Sequence, residues 1–298
     1  MIGFVRPSRP PGNRAGRLVL AAVAFATAAG AAPARAQQVV YFGSFQTTTG
    51  RYIFAERTTS VFVVNGIDVS AGRVRVSATI PFITQSTPWI SYGAVLIPSG
   101  GSQNAQVGDQ IRRGKGGGAG TGGRGIVVTL PTEGVTRETG VGDPVIRVGA
   151  DLLNRGSAVQ VTISGAAKAP VASLADGLGT GEWDYGAGLE VSRQQGVHRV
   201  FGTFEVWRFG DLPDLVLKDA AAYRVGYERF VNTNRWSMLA SVSGWTTVLD
   251  GLDPPVSVNA GLTRHLGPSG RSVGVIAAFG VTEMAPDFSL SLAWQLPF

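Results

Sequence analysis

The C-terminal stretch FSLSLAWQLPF, residues 288–298, has an apolar side chain at every second position and ends on an aromatic residue. Successive side chains of a β-strand point to opposite faces, so this stretch forms a strand with one apolar and one more polar face. The same alternation recurs over residues 74–82, 183–192 and 256–263. The sequence therefore predicts an all-β protein.

The N-terminal 36 residues have the three parts of a secretory signal. Four arginines precede an apolar run over residues 18–32, and Ala34-Arg35-Ala36 supplies a small-x-small cleavage site. A membrane anchor is the alternative, but the apolar run is short and rich in Ala for a span of ~20 residues. We therefore predict a cleaved signal peptide over 1–36, followed by a single domain over 37–298.

Composition excludes several classes of function. The chain has no Cys, so it has no disulfides, no thiolate metal site and no Cys nucleophile. Loss of the five leader arginines lowers the formal net charge from +6 to +1, so the basic isoelectric point does not indicate a nucleic-acid partner. After residue 36 no apolar stretch approaches the ~18 residues of a transmembrane helix.

The connections between the alternating segments differ regularly in length. Short turns are predicted at Asn65-Gly66, 154–156, 194–196, 232–234 and 267–270. They alternate with longer links at 84–142, 169–181, 210–218, 248–255 and 283–286. Short turns at one end and long loops at the other are typical of transmembrane barrels of the bacterial outer membrane. A Greek-key sandwich would also alternate, but it has no reason to keep that order.

The number of strands follows from this order. Strands are predicted to start near residues 51, 69, 143, 157, 182, 197, 219, 235, 256, 271 and 287. Both ends of such a barrel lie on the periplasmic side, which requires an even number of strands. Residues 39–45 supply the missing first strand, with an outer turn at 47–50. We predict an up-and-down antiparallel transmembrane β-barrel of about twelve strands, with ten or fourteen as alternatives, in the outer membrane of a Gram-negative cell.

Several charged residues alternate with apolar ones and are predicted to face the barrel lumen. They are Arg73, Arg75, Arg147, Asp151, Glu190, Arg224 and Glu228. A charge on the lipid face near the midplane costs ~2–4 kcal/mol, which a lumen position avoids. These side chains either form a polar constriction that selects solutes, or form mutually neutralising pairs that hold the wall together.

The long link at 84–142 contains most of the low-complexity sequence. Residues 112–124 are rich in Gly, Arg and Lys, and Gly120, Gly122 and Gly125 formally satisfy G-x-G-x-x-G. No helix follows, and Lys115 precedes Gly where a phosphate loop needs Ser or Thr, so nucleotide binding is rejected. The segment is predicted to be extracellular, either as a mobile surface loop or as a constriction in the mouth, with 126–130 pairing with the apolar residues of 89–97.

The two histidines are the only imidazoles that could act in acid–base catalysis. The predicted topology places His198 and His265 beside short periplasmic turns, away from the outer leaflet where a lipid hydrolase would act. No cluster of His, Asp and Glu has metal-ligand spacing. We therefore predict no enzyme activity, no cofactor and no metal.

Three short motifs resemble a known family. Residues 76–82, 140–144 and 177–186 resemble the outer-membrane transporter family of the MetA pathway of phenol degradation. The residues of this chain at the matching positions have a structural role by their type, and they do not form a catalytic set. They are Gly140, Gly142, Asp143, Pro144, Gly177, Gly179, Gly181 and Asp184. The resemblance implies passage of small, often aromatic or hydrophobic, compounds, and the terminal Phe298 resembles the signal read by the barrel assembly machinery.

The sequence thus predicts a passive outer-membrane channel. The alternatives are a plugged structural or surface-interaction barrel without flux and, more remotely, an outer-membrane lipid hydrolase. The predicted partners are membrane lipid, the assembly machinery and a small-molecule solute, with no nucleic acid.

Overall fold

The computed structural model describes residues 38–298 apart from nine gaps. The gaps are 53–56, 87–90, 93–97, 100–136, 154–155, 173–177, 211–216, 234 and 249–251. The predicted signal peptide and the Gly-rich stretch at 112–124 lie outside the described residues. No helix in the described part of the chain is long and apolar enough to cross a membrane.

All regular elements of the described residues are β-strands. They are β1 (Gln38–Gly50), β2 (Thr58–Ala71), β3 (Val74–Gln85), β4 (Ser91–Tyr92), β5 (Pro98–Ser99), β6 (Glu138–Val141), β7 (Val145–Asp151), β8 (Val159–Lys168), β9 (Asp184–Gln195), β10 (His198–Arg208), β11 (Ala220–Val231), β12 (Trp236–Trp245), β13 (Val256–His265), β14 (Ser272–Gly280) and β15 (Phe288–Pro297). Strands β4 and β5 pair only with each other. The predicted pairing of 126–130 with 89–97 lies outside the described residues.

The sheet is a closed antiparallel barrel of twelve strands among the described residues. Each strand pairs with its neighbour in sequence, and β1 closes the ring by pairing with β15 from Val40↔Pro297 to Thr49↔Phe288. β6 and β7 both pair with β3 and together cross the wall as one strand. The prediction of a strand before Arg51 and of an even, closed barrel is therefore confirmed.

The two faces of the wall have opposite polarity. Large apolar side chains on the outer face are exposed, for example Val225 at 65%, Phe204 at 51% and Leu290 at 41%. The alternate positions face inward and are polar and mostly buried, as at Ser60, Ser241 and Asn259. Monomeric soluble proteins do not expose so many large apolar side chains in one belt, so the outer face matches a lipid environment.

The predicted turn at Asn65-Gly66 is wrong. Both residues lie inside β2, where they pair with Gly43 and Phe42 on β1. The turn between β2 and β3 lies at 72–73, and Gly72 has a φ of +59° there. Gly66 is needed because the Phe42 ring covers it, and a Cβ at this position would overlap that ring.

The predicted outer turn at 47–50 is also wrong. These residues continue β1 and pair with Thr58–Val61 on β2, so the connection lies at 51–57. Four small polar residues in a row resemble a turn, but here they extend the first strand above the apolar belt.

A β-bulge separates β6 from β7. Phe82 pairs with Val141 and Thr79 with Val145, so residues 142–144 oppose only Ile80 and Pro81, and the β6–β7 side holds one extra residue. Pro81 O accepts a hydrogen bond from Gly142 N at 2.8 Å, so the edge of Pro81 that lacks an N–H faces the bulge. The bulge thereby accommodates a proline inside a closed sheet, where a regular ladder would lose a hydrogen bond.

Candidate functional site: the barrel lumen

The lumen contains a cavity near the end of the barrel that bears the short turns. This cavity of about 710 Å³, which we call the vestibule, is lined by polar and apolar side chains. Gln38, Asp68, Ser70, Arg75, His265 and Gln295 supply polar groups, and Val40, Phe42 and Ile276 supply apolar surface. Two smaller cavities extend from it towards the end that bears the long loops. The first, the ion-pair pocket, shares Arg75 with the vestibule, and the second, the hydroxyl pocket, shares Ser44, Ile276 and Ala293.

The ion-pair pocket has a volume of about 170 Å³ and is lined by charges of both signs. Arg147 forms a bidentate contact with Glu205, in which Nη2 donates to Oε2 at 3.3 Å and Nη1 pairs with Oε1. Arg199 joins two carboxylates, Glu190 at 3.6 Å and Glu228 at 3.4 Å. All of these side chains are partly exposed to the lumen, so each pair contributes at most ~1 kcal/mol to stability.

Six of the seven predicted lumen residues lie on the inner face of strands. They are Arg75, Arg147, Asp151, Glu190, Arg224 and Glu228. Arg75 lies 3.6 Å from Asp68, and Asp151 accepts a hydrogen bond from Thr162 at 2.8 Å. Arg73 instead lies in the turn before β3, where its Nη1 donates to Leu152 O at 3.5 Å, so it is not on the inner wall.

Sequence reasoning missed Asp68, Arg199 and Glu205, which pair with these residues, and Lys168, which pairs with Asp143 and Asp184. Arg199 and Glu205 alternate with apolar side chains of β10 that face outward, so the same period would have identified them. Sequence reasoning missed Asp68 because the turn predicted at 65–66 placed this residue between two predicted strands, whereas it lies within β2. The sequence pattern did not indicate that Lys168 faces the lumen, because it follows four small residues at the end of β8.

A buried cluster of charges lies where the loop 169–183 leaves β8. Lys168 Nζ lies 3.1 Å from Asp143 Oδ2 and 2.7 Å from Asp184 Oδ2, and it donates a hydrogen bond to Thr180 Oγ1 at 2.7 Å. Asp143 Oδ1 accepts from Val171 N and Ala172 N, both at 2.9 Å. The backbone donors to Asp143 thus lie on the loop after the next strand.

The same loop packs against the inner wall through Leu178. This side chain is 3% exposed and forms an apolar cluster with Phe62, Val64 and Ile83. A Cβ at Gly140 would lie 2.6 Å from Leu178 Cδ1, so a larger residue there would force the Leu178 side chain to move. Leu178 thus lies against the inner wall near the end that bears the long loops.

The glycines of the motifs that resemble the transporter family lie where the loop after β8 and the bulge approach neighbouring side chains closely. A Cβ at Gly142 would lie 2.5 Å from Ile83 Cδ1, and one at Gly179 would lie 2.7 Å from Asp143 Oδ2. Gly181 has a φ of +72°, which favours glycine, and Pro144 O accepts from Ala169 N at 2.9 Å. Asp184 Oδ1 accepts from Gly210 N at 2.9 Å, which links the cluster to the loop after β10. Gly177 lies outside the described residues.

The two histidines lie beside short turns, at the start of β10 and the end of β13. His198 Nδ1 lies 2.6 Å from Tyr227 Oη. His265 Nε2 lies 3.2 Å from Ser237 Oγ, a contact that sequence reasoning missed. Within the described residues, no carboxylate hydrogen-bonds His265 to orient it, and no group of three or more His, Asp and Glu side chains could hold a metal ion. A Ser–His contact without an orienting group is weak support for hydrolysis.

The barrel is similar to solved structures of outer-membrane proteins. The COG4313 outer membrane channel from Pseudomonas putida F1 superimposes with a TM-score of 0.62 at 12% sequence identity, over 89% of this chain and 97% of that one. The P. putida toluene transporter TodX and the CymD monoaromatic hydrocarbon channel each give a TM-score of 0.40 at 11% identity, over 89% and 88% of both chains, respectively.

The first similarity shows a shared barrel fold, while TM-scores of 0.40 do not establish one. No family model matches the chain, and no curated protein matches it either. The resemblance to the phenol-degradation family therefore stays a prediction.

Proposed function

We propose that the protein is an outer-membrane channel through which small molecules diffuse, aromatic or hydrophobic compounds among them. The observation that carries this proposal is the lumen itself, which holds a vestibule of about 710 Å³ inside a closed wall with an apolar outer belt. Such a wall satisfies its backbone hydrogen bonds internally, as a lipid layer demands. The apolar and polar groups of the vestibule together suit solutes that are neither strongly charged nor fully apolar.

The proposed location includes export by the signal peptide over 1–36 and recognition of Phe298 by the assembly machinery. Phe298 is 82% exposed, and its backbone N donates to Val39 O at 2.8 Å, so the aromatic ring projects from the seam that closes the barrel. Replacing Phe298 by Ser should lower the amount of assembled barrel in outer-membrane fractions. An unchanged amount would contradict the proposed recognition.

A plugged barrel without flux is the second candidate. It is favoured by the packing of Leu178 against the inner wall and by the hydrogen bond from Lys168 to Thr180, both near the end that bears the long loops. Planar-bilayer conductance and liposome swelling of the folded protein distinguish the two candidates. Discrete conductance and solute-dependent swelling would support a channel, and a sealed bilayer with folded protein would support the plugged barrel.

The Gly-rich link offers a further test. If residues 99–124 enter the mouth as a constriction, their deletion should raise the rate of solute flux. If they form only a surface loop, the rate should stay at the wild-type value. A toluene or phenol uptake assay in a porin-deficient host then tests the proposed solute class.

A further inference from the structure

The hydroxyl pocket differs in its chemistry from the rest of the lumen. Its volume of about 270 Å³ lies near the lower end of ligand pockets, which are typically ~300–1,000 Å³. Its polar lining consists of Arg224, Asn259 and Gln46 together with five serines, which are Ser44, Ser243, Ser257, Ser289 and Ser291. No Asp or Glu is among the described residues that line it.

Arg224 is the only charged side chain among the described residues of this pocket. It lies on β11 opposite Ser243 and faces inward. No carboxylate in the described part of the chain lies within 4 Å of its guanidinium, in contrast to Arg147 and Arg199, and its buried Nε has no hydrogen-bond partner there. Glu190 acts on Arg224 electrostatically, but Glu190 itself pairs with Arg199.

An arginine of this kind is a receptor for an oxyanion. Its planar fork matches the two oxygens of a carboxylate, and hydrogen bonds between charged groups are about twice as strong as neutral ones. The serine hydroxyls can donate further bonds, whereas the N–H groups of Asn259 Nδ2 already donate to Ser241 and Ser243 at 3.1–3.3 Å.

The rest of the lining is apolar. Trp245, Pro255, Ile276, Ala278 and Pro286 border the pocket. Trp245 is 3% exposed and is held by Phe209, whose ring centroid lies 5.6 Å away. The pocket thus pairs one cationic group with a rigid apolar wall.

We infer that the hydroxyl pocket is a binding subsite for small monocarboxylates with a compact apolar body. Arg224 pairs with the carboxylate, the serines donate around it, and the apolar body packs against Trp245 and the prolines. This inference rests on the proposed channel function, since it names a class of solute that the lumen selects.

The test is binding of sodium benzoate to the purified, folded protein in detergent, measured by isothermal titration calorimetry. Benzamide is the matched neutral probe, because it has the same ring and nearly the same shape without the charge. We expect benzoate to bind at least about tenfold more tightly than benzamide. Equal affinities, or no benzoate binding, would overturn the inference without any variant.

Two matched variants locate the site. Arg224→Gln should weaken benzoate binding about tenfold and leave benzamide unaffected, whereas Arg75→Gln removes the same charge from the lumen outside this pocket and should change neither. Equal weakening by both variants would mean that the lumen attracts anions in general, and the subsite would be refuted.

Flux measurements separate this inference from the proposed function. Benzoate binding that depends on Arg224, in a protein that gives no conductance, would retain the subsite and reject the channel. Conductance without preferential benzoate binding would retain the channel and reject the subsite.

Discussion

Replacing Lys168 by Met should destabilise the barrel strongly. The side chain is 4% exposed, and its two carboxylate partners, Asp143 and Asp184, are 5% and 0% exposed. Met keeps the length and the apolar stem of Lys but removes the charge. Among the described residues, Lys168 is the one cationic group within 4 Å of the Oδ2 atoms of both aspartates.

The magnitude follows from the burial of the cluster. Removing one partner of a buried ion pair costs ~3–5 kcal/mol, because the remaining charge stays buried without compensation. Here two carboxylates are left together, and their Oδ1 atoms stay fixed by bonds to the backbone N of Val171, Ala172 and Gly210. We therefore expect a loss in the upper half of that range, about 4–5 kcal/mol.

Urea unfolding in lipid vesicles, followed by tryptophan fluorescence, measures this loss. The control is the triple variant Asp143→Asn, Lys168→Met, Asp184→Asn, which keeps the Oδ1 acceptors and removes all three charges. It should regain at least half of the lost stability, since neutral replacement of a buried ionic cluster is often tolerated. A loss below ~1 kcal/mol for Lys168→Met, as for an exposed pair, would refute the reasoning.

Three further outcomes are expected. Gly186→Val should destabilise the barrel by ~1–3 kcal/mol in the same urea assay, because a Cβ would lie 2.7 Å from the Trp207 indole; no change would show that the ring moves freely. Glu205→Gln frees the charge of Arg147 and should shift the reversal potential of bilayer conductance towards anions, while stability changes by less than ~1 kcal/mol; an unchanged potential would contradict this. Deleting Gly142 removes the bulge and places Pro81, which has no N–H, in a regular ladder, so the folded fraction on unheated gels should fall; normal assembly would show that the sheet tolerates the proline without the bulge.

The number and order of the strands followed from the sequence because each rests on a repeated pattern. The apolar period of two sets the outer face, and the alternation of short and long links sets the direction of each strand. The first strand alternates only weakly. It was predicted because both ends of the chain must lie on the same side of the membrane, which requires an even number of strands. Its C-terminal end was missed, since β1 runs to Gly50, five residues beyond the predicted end at residue 45.

The errors have a common cause, which is the ambiguity of glycine and of small polar residues. Asn65-Gly66 has the composition of a hairpin turn, yet Gly66 is there because Phe42 covers it inside the lumen. Gly142 is likewise a residue type that favours turns, whereas here it belongs to a bulge and lies against the Ile83 side chain. A turn and a close approach both favour glycine, and only the tertiary structure distinguishes them.

The charges of the lumen show what periodicity leaves open. The period of two gives the face of a side chain but not its neighbour across the strands, so it identified Arg147 and Arg224 without distinguishing them. The register does distinguish them, because Arg147 meets Glu205, and Arg224 lies opposite Ser243 in a pocket without acids among its described lining. A neutralised wall and a cationic pocket therefore occupy the same lumen. The first explains how charges are tolerated inside the barrel, and the second is the basis of the proposed monocarboxylate subsite.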